Sequence, residues 1–448
     1  MSLPADKILY PLSEAQNLLR WSEFFTLEKK KVKENNVISY CVTAPYNESG
    51  DAIRIADAME GALNDVIKNN DSLRMRIIKT GKGLRQYVKD FSPYVCDRIP
   101  IDGEEALKKE ITGMGKYKVD WLDESLVVAK IFILNEHQAA MLIRIHHAIF
   151  DGYSATLFFE QFIDAYNALI AGDMPKEPKK TYSIIDTYKE DEEYMKSADH
   201  AADRKYWFRK YNHQRHYSFP AGYRSEFGDC DARDIMLDGE LYEKICELAK
   251  TCSCSVQAAL MTLAALTTYV MTGKDNFCIY SITHGRRKFA AKKTIGCMMN
   301  TVPIFYDIDN TDKTVAEYIS ESYLDFMDAL THARLPMGEQ VPMSYKEPIK
   351  HFFNFNHGWL MFSTMDYETV KEKTDLEILD IPELNQPYQF YACVLEVPRE
   401  YVKIILKYQT RKFNEKQVLN ILETYKKVCA IVADNANMTI REVFDLVK

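Results

Sequence analysis

The sequence predicts an α/β (α+β) protein built from two lobes, and three observations lead to this prediction. A chain of 448 residues is too long for one ordinary hydrophobic core, which favours two domains or lobes. Strand-like and helix-like stretches alternate along the first half. Residues 172–180 combine glycine, proline and charge, which makes them the best linker candidate. We therefore expect an N-terminal lobe over residues 1–175 and a C-terminal lobe over residues 176–448.

Hydrophobic spacing assigns the elements of the first half. Residues 37–43 are predicted to form a strand, whereas residues 51–68 repeat apolar side chains at helical intervals. Residues 126–134 form a continuous apolar run that is typical of a buried strand. A second apolar run, residues 141–145, precedes an amphipathic helical stretch at residues 154–171. The predicted order is therefore strand, helix, strand, strand and helix.

The second half mixes the same two patterns. Its predicted elements are a charged helical stretch at residues 188–211, a helix at residues 255–271, strands at residues 277–282, 301–306 and 401–408, and helices at residues 415–432 and 440–447. The sequence contains no tandem repeat of short period. These elements are consistent with a second mixed lobe.

Composition and charge exclude several classes of protein. Hydrophobic residues make up 47% of the chain and charged residues 27%, as in a soluble globular protein. No apolar run reaches the length of a transmembrane helix, and the first residues lack the apolar core of a signal peptide. The net charge of −8 argues against a general nucleic-acid binder. We expect a cytoplasmic protein with neither a membrane span nor a nucleic-acid partner.

The cysteines predict free thiols rather than a disulfide framework or a metal site. The ten cysteines are scattered, and they include no CxxC motif. Cys252 and Cys254 are the only close pair. This pattern favours free thiols in a reducing compartment. A zinc site needs clustered ligands, and because the sequence clusters none, we expect no metal.

The stretch from His146 to Gly152, HHAIFDG, is the most informative in the chain. A predicted strand precedes it and a predicted helix follows it, so the strand delivers two histidines into a short turn. Neighbouring side chains of a strand face opposite ways, and we therefore expect one histidine to act while the other packs. Asp151 is placed to bend back and hold the loop. A neutral imidazole, with an ordinary pKa of about 6.5, is suited to accepting a proton near neutrality.

This HHxxxDG pattern resembles the catalytic signature of the chloramphenicol acetyltransferase-like superfamily, and within it the condensation domains of nonribosomal peptide synthetases. Further segments resemble condensation-domain motifs in family order: YPLSEAQ at 10–16, NNDSLRMRI at 69–77, RKYW at 204–207, GR at 285–286, IGCMMNTVP at 295–303 and LMFST at 360–364. In the second segment, Asn-Asn replaces the Arg-His of the family. The chain contains no adenylation or carrier motif, so it resembles a free-standing condensation-domain protein.

The resemblance implies a fold and a set of site residues. The implied fold is two chloramphenicol acetyltransferase-like lobes that form a pseudo-dimer around a shared channel. His147, the second histidine, corresponds to the catalytic residue of the family. His146, Asp151 and Gly152 correspond to the residues that support its loop.

The resemblance also suggests partners for the loop and residues of the channel. In the family, an arginine holds the counterpart of Asp151. Arg286 is our first choice for that arginine, and Arg74 is the second. Asn300 and Ser363 resemble residues that line the channel, although Asn300 is equally suited to hydrogen-bonding loop backbone.

Two further features have ordinary structural interpretations. Ser154 fits helix N-capping better than catalysis. Residues 286–293 carry five cations, which would suit a phosphate of phosphopantetheine or coenzyme A, although a solvated basic loop is the commoner explanation. The sequence therefore assigns no cofactor-binding residue.

The function implied by the resemblance is that of a condensation-type acyltransferase. Such an enzyme moves an acyl or aminoacyl group from a phosphopantetheine thioester on a carrier protein, here a separate one, to an amine, with no permanently bound cofactor. One alternative is an acyl-CoA-dependent O- or N-acyltransferase that acts on a small alcohol or amine. Another is a non-catalytic binding module, which the intact HHxxxDG pattern disfavours. The acyl group, the acceptor, the choice between amide and ester, and the oligomeric state stay open.

Overall fold

A computed structural model confirms the predicted α/β class. It describes residues 7–25, 36–114, 119, 122–178, 180–213, 228–343, 358–365, 373–381, 385–386, 390–397 and 399–448. Contacts divide the chain into two compact units. The first comprises Met1–Lys196, Arg286–Met299 and Tyr367–Leu384, and the second comprises Ser197–Gly285, Asn300–Asp366 and Asn385–Lys448.

Helices and strands alternate along the described residues. The helices are α1 (Glu14–Phe25), α2 (Ala52–Asn69), α3 (Gly103–Met114), α4 (Gly152–Ala171), α5 (Ile184–Tyr194), α6 (Ala198–His213), α7 (Gly239–Thr251), α8 (Val256–Thr272), α9 (Val315–Thr331), α10 (Met337–Met343), α11 (Glu415–Asp434) and α12 (Ile440–Val447). The strands are β1 (Val37–Thr43), β2 (Met75–Thr80), β3 (Gly83–Val88), β4 (Asp97–Pro100), β5 (Val127–Asn135), β6 (Gln138–His146), β7 (Gly228–Asp238), β8 (Asn276–Thr283), β9 (Asn300–Asp307), β10 (Gly358–Met365), β11 (Glu377–Asp380), β12 (Asn385–Gln386), β13 (Phe390–Val397) and β14 (Tyr401–Gln409). Short 3-10 turns lie at Asp71–Arg74, His147–Ile149 and Ala291–Lys293.

The first unit contains a five-stranded sheet in the order β11-β1-β6-β5-β4. Strand β4 runs parallel to β5, and the other neighbours are antiparallel. Strand β6 lies in the middle of the sheet, and all nine of its residues are buried. Helix α2, which Asp51 caps through bonds to the N–H groups of Ile53 and Arg54, contacts β5 and β6. The histidines at the end of β6 therefore start from a strand that is enclosed in the core.

The second unit contains a seven-stranded sheet in the order β12-β7-β14-β13-β10-β8-β9. Strand β10 runs parallel to β8 and β13, and the remaining neighbours are antiparallel. Helix α8 belongs to the core of this unit, and it begins at the cap Ser255, whose Oγ accepts a hydrogen bond from Ala258 N at 3.2 Å. Each unit therefore has its own mixed sheet and its own hydrophobic core.

The first unit extends beyond the boundary expected at residue 175. Helix α5 belongs to it, because Ile184 and Tyr188 are buried in its core. Ile295 and Cys297 bring a segment from the second half of the chain into the same core. The boundaries given by the contacts thus differ from the boundary predicted from the linker at residues 172–180. Periodicity along a sequence carries no information about a later segment that packs back into an earlier unit.

The charged stretch predicted as one helix at residues 188–211 is two helices, α5 and α6. Helix α5 ends at Tyr194, and the N–H of its C-cap, Met195, donates to Asp191 O at 3.0 Å. Ser197 then acts as the N-cap of α6, because its Oγ accepts a hydrogen bond from His200 N at 3.2 Å. High charge without a clear apolar period concealed this break.

Helices α7 and α8 are joined by a bend of 100°. Among the described residues, no single helix is long and apolar enough to cross a membrane, whereas these two together satisfy the length and composition criteria. The ten cysteines are free thiols. Cys252 follows α7 and Cys254 precedes α8, so the close pair of the sequence lies in the connection between these helices.

Candidate active site

The two histidines lie where β6 ends, and their environments differ. His146 is the last residue of β6 and is fully buried, and its Nδ1 accepts a hydrogen bond from Ala148 N at 3.0 Å. His147 opens the following 3-10 turn and is half-buried, and its backbone N–H donates to Asn36 O at 2.8 Å. One histidine therefore packs inside the unit while the other remains partly exposed, as the alternation of a strand predicts.

Asp151 and Arg286 form a bidentate ion pair. Arg286 Nη1 lies 2.8 Å from Asp151 Oδ2, and Nη2 lies 3.0 Å from Oδ1. The exposed fractions of the two side chains are 0% for arginine and 1% for aspartate. The predicted pairing of these two residues is confirmed. The second choice, Arg74, instead donates to the backbone carbonyls of Ile67 at 3.2 Å and Lys89 at 3.1 Å.

Asp151 also joins helix α4 to the segment that follows Arg286. It is the N-cap of α4, because its Oδ1 accepts a hydrogen bond from Ser154 N at 2.9 Å. Its Oδ2 accepts a second hydrogen bond from Met298 N at 2.9 Å. The sequence-based assignment of the cap to Ser154 is wrong, because Ser154 lies within the first turn of the helix. There, Ser154 Oγ accepts hydrogen bonds from Gly296 N and Arg286 Nη2, both at 2.9 Å.

The pKa of Asp151 lies below its ordinary value. Burial alone would raise this pKa, but the charge and hydrogen bonds of Arg286 outweigh burial, and the N–H groups of Met298 and Ser154 add to the lowering. The carboxylate is therefore ionised at neutral pH, with the guanidinium as its counter-charge. The ring of Tyr153 lies with its centroid 4.7 Å from the guanidinium carbon and covers the pair.

Cys297 contacts the ring of His147, and sequence reasoning missed it. Its Sγ lies 4.0 Å from His147 Nδ1. Burial, and then the charge of Asp151, raises the pKa of this thiol well above its ordinary value, so the sulfur stays a neutral thiol. The only sequence signal for Cys297 was its place in the segment at residues 295–303.

Two glycines of the site have opposite surroundings. Gly152 is the first residue of α4, and no described atom lies within 4 Å of a Cβ built on it. Glycine at this position therefore leaves open space beside the turn. Gly296 is enclosed instead, because a Cβ there would overlap Cδ1 of Ile184. A side chain at position 296 would therefore force the side chain of Ile184 to shift.

The two residues expected to line a channel are in the second unit. Asn300 Nδ2 donates to Ala333 O at 2.9 Å and to Leu335 O at 2.8 Å. Asn300 Oδ1 accepts a hydrogen bond from Met337 N at 3.2 Å. The amide therefore holds loop backbone, which is the second of the two interpretations of this residue. Ser363 lies on β10, and its side chain falls outside the described part of the structure.

The basic stretch at residues 286–293 divides into one buried and four exposed cations. The buried one is Arg286, which is the partner of Asp151. Among the exposed ones, Lys288 Nζ lies 2.9 Å from Glu190 Oε1. The ordinary interpretation as a solvated basic loop thus suits the four exposed cations but not the buried Arg286.

These contacts define what the site can do chemically. A half-buried imidazole stands in a turn that is held by backbone hydrogen bonds and by a buried ion pair. Such an imidazole can accept a proton from a nucleophile and return it to a leaving group. Within the described residues, no group of three or more His, Cys, Asp or Glu side chains is placed to hold a metal ion.

A mixed α/β fold in two units, with an HHxxxDG turn after a central strand, corresponds to the chloramphenicol acetyltransferase-like class. A family model described as the condensation domain matches residues 30–447. The chain therefore belongs to the condensation domain family, whose members catalyse amide-bond formation.

Curated relatives are subunits of peptide synthetases. Surfactin synthase subunit 1 of Bacillus subtilis (strain 168) is 24% identical over 338 residues, which are 73% of this chain and 9% of that protein. Tyrocidine synthase 1 of Brevibacillus parabrevis is 23% identical over 278 residues, which are 58% of this chain and 25% of that protein. The chain thus spans a small part of the length of these relatives.

Solved structures show the same fold over nearly the whole chain. The condensation domain of the Monacolin K polyketide synthase MokA has a TM-score of 0.81 at 14% identity, covering 97% of this chain and 99% of that one. A mutant starter condensation domain of rhizomide synthetase RzmA, in complex with C8-CoA and Leu-SNAC, has a TM-score of 0.79 at 17% identity, covering 97% and 96%. These likenesses confirm the predicted fold class.

Proposed function

We propose that this chain is a condensation-type acyltransferase that forms an amide. The observation that carries the proposal is the HHxxxDG turn, where His147 stands half-buried after β6 and Asp151 is fixed by Arg286. Membership of the condensation domain family supports the same activity. His146 and Gly152 have supporting roles: His146 binds the N–H of Ala148, and Gly152 keeps the space beside the turn open.

In the proposed reaction, the nitrogen of an amine attacks the carbonyl carbon of an acyl thioester. The C–N bond forms, the C–S bond breaks, and the sulfur leaves as a thiolate. His147 accepts the proton that the amine loses and returns it to the thiolate, so the imidazole ends in its starting state. The thioester is already activated, so no acyl-enzyme is required. The rigid turn contributes to the rate by holding the imidazole in place before the substrates meet.

The proposed donor is an acyl or aminoacyl group on the phosphopantetheine of a separate carrier protein. The similarity to subunits of peptide synthetases supports this donor. The second candidate is an acyl-CoA-dependent O- or N-acyltransferase, and one observation favours it: the similar RzmA domain is in complex with C8-CoA. The two candidates share His147 and differ in the donor.

The role of His147 is tested by the substitution His147→Ala. We expect turnover to fall by roughly 10²–10⁴-fold, because the proton acceptor is lost, while the unfolding temperature stays near that of the wild type. His137→Ala is the matched control, since His137 bonds to Gly50 O at 2.8 Å and lies outside the turn. A folded His147→Ala protein with near-wild-type turnover contradicts the assignment.

The donor and the bond type are tested by intact-mass transfer assays. Acyl-carrier protein and acyl-CoA are each offered with an amine pool and with an alcohol pool. The proposal expects an amide product that depends on the carrier-bound donor. Turnover with acyl-CoA and none with any carrier protein selects the second candidate. An ester as the sole product contradicts amide formation.

A further inference from the structure

Gln16 connects the start of helix α1 to the turn that holds His147. Gln16 N donates to Ser13 Oγ at 3.2 Å, and Ser13 N donates to Gln16 Oε1 at 2.8 Å, which together form a capping box. The Nε2 group of the same side chain donates to Ala148 O at 2.9 Å. Gln16 is fully buried. One amide group thus bridges a helix cap and the residue that follows His147.

The partners of this amide determine which end faces the turn. The N–H of Ser13 requires an oxygen, and the carbonyl of Ala148 requires a donor. Gln86, which is also fully buried, pairs reciprocally with Gln16, with both Nε2–Oε1 distances at 2.9 Å. Gln86 Nε2 also donates to Pro11 O at 2.8 Å. A rotated Gln16 amide would break its bond from Ser13 N and its bonds to Ala148 O and Gln86 together, so its orientation is fixed.

Helix capping explains only the oxygen end of Gln16. A glutamate caps a helix at this position as well as a glutamine does, but a carboxylate has no N–H group to offer a carbonyl. The nitrogen end meets Ala148, whose own N–H is bound by His146 Nδ1 at 3.0 Å. On the other side of His147, its backbone N–H is bound to Asn36 O at 2.8 Å. The backbone is therefore held on both sides of His147.

We propose that Gln16 is a positioning residue for the imidazole of His147. Its bond to Ala148 O holds the peptide plane between Ala148 and Ile149, and thereby the shape of the turn that begins at His147. The inference rests on the proposed function of His147 as the proton acceptor. Misplacement of a reacting group by about 1 Å costs roughly 10²-fold in rate, so loss of this bond lowers kcat more than it changes KM.

Steady-state kinetics of Gln16→Leu test the proposal. Leucine is similar in size and removes every hydrogen bond of the amide, and we expect kcat to fall about 10- to 100-fold with KM within about twofold of the wild type. Ser13→Ala is one control, because it removes the Oγ that accepts from Gln16 N and leaves the bonds of the Gln16 amide in place. Gln138→Leu is the other, because Gln138 is also buried and donates to a backbone carbonyl, Ala44 O, at 3.0 Å. Both controls are expected to keep wild-type kcat.

The same substitution in a His147→Ala background separates positioning from general damage. A residue that acts through His147 has no further effect once the imidazole is gone, whereas loss of folded protein lowers both backgrounds equally. Wild-type kcat in Gln16→Leu, or an equal loss in both backgrounds, overturns the proposal. Failure of the proposed function is a different result, since His147→Ala would then keep wild-type turnover. If Gln16→Leu does not fold, Gln16→Asn, whose amide is one methylene shorter, takes its place with the same expected direction.

Discussion

Breaking the pair between Asp151 and Arg286 is the sharpest test of how the turn is anchored. Asp151→Asn keeps the shape of the side chain, and Arg286→Met removes the guanidinium while keeping much of its length. Either change leaves one charge without its partner, and the exposed fractions of the two side chains are only 1% and 0%. Removing one partner of a buried ion pair costs about 3–5 kcal/mol of unfolding free energy. Arg286→Met also takes a donor from Gly296 O at 2.9 Å and from Thr294 O at 3.3 Å.

These free energies convert into measurable shifts. In a unit of roughly 230 residues, each kcal/mol lowers Tm by about 2–4 °C, so we expect either single variant to melt roughly 6–20 °C below the wild type. The double variant Asp151→Asn/Arg286→Met contains neither charge. We therefore expect it to lose less stability than the sum of the single losses, with a coupling energy of about 1–3 kcal/mol.

Thermal unfolding by circular dichroism and urea titration at pH 7 measure these changes. Arg98→Met is the matched control, because it breaks an exposed pair in which Arg98 Nη2 lies 2.6 Å from Asp57 Oδ1 and the side chains are 34% and 61% exposed. An exposed pair contributes about 0–1 kcal/mol, so this control should melt near the wild type. Single variants of the buried pair that unfold like the control, or whose losses simply add, would refute the anchoring role.

Two further predictions concern the same region. The folded-state pKa of Asp151 is lowered, so the unfolded chain binds more protons on acidification and the stability that this carboxylate contributes is lost as the pH falls. The difference in unfolding free energy between wild type and Asp151→Asn should therefore be constant above the unfolded pKa of about 3.9 and shrink below it, as urea titrations at stepped pH would show. Gly296→Ala should cost about 1–3 kcal/mol, because its methyl group would overlap Cδ1 of Ile184. Ile184→Val removes that atom and should recover part of the loss in Tm, and a Gly296→Ala protein as stable as the wild type would contradict the packing argument.

Elements with a strong hydrophobic period were predictable from the sequence. Strand β1 occupies Val37–Thr43 and helix α12 occupies Ile440–Val447, which are the predicted residues. In β1, most of the residues on which the strand prediction rests are buried. Helix α8 starts directly after Ser255, whose capping chemistry marks the boundary. The sequence pattern therefore predicts an element correctly where residues close together in the chain determine its burial and its capping.

The residues of the candidate site were predictable only where a family motif identified them. The pairing of Asp151 with Arg286 followed from the resemblance, and no period of the sequence indicates it. The contact of Cys297 with the ring of His147 joins residues 150 positions apart, and that of Gln16 with the turn spans 132 positions. Such contacts arise from packing of distant segments, which spacing along a chain does not encode.

The ion pair between Asp151 and Arg286 also imposes an order on the synthesis of the protein. The two residues are 135 positions apart, so at about 5–20 residues per second roughly 7–27 s of translation separate them. Met298, which donates the other long-range hydrogen bond to this carboxylate, is made later still. During that interval the nascent chain contains the carboxylate of Asp151, which is buried in the folded protein, but not yet the guanidinium of Arg286 that neutralises it. The turn with the proposed catalytic histidine is therefore completed late, and a nascent chain that stops before Arg286 lacks the means to finish it.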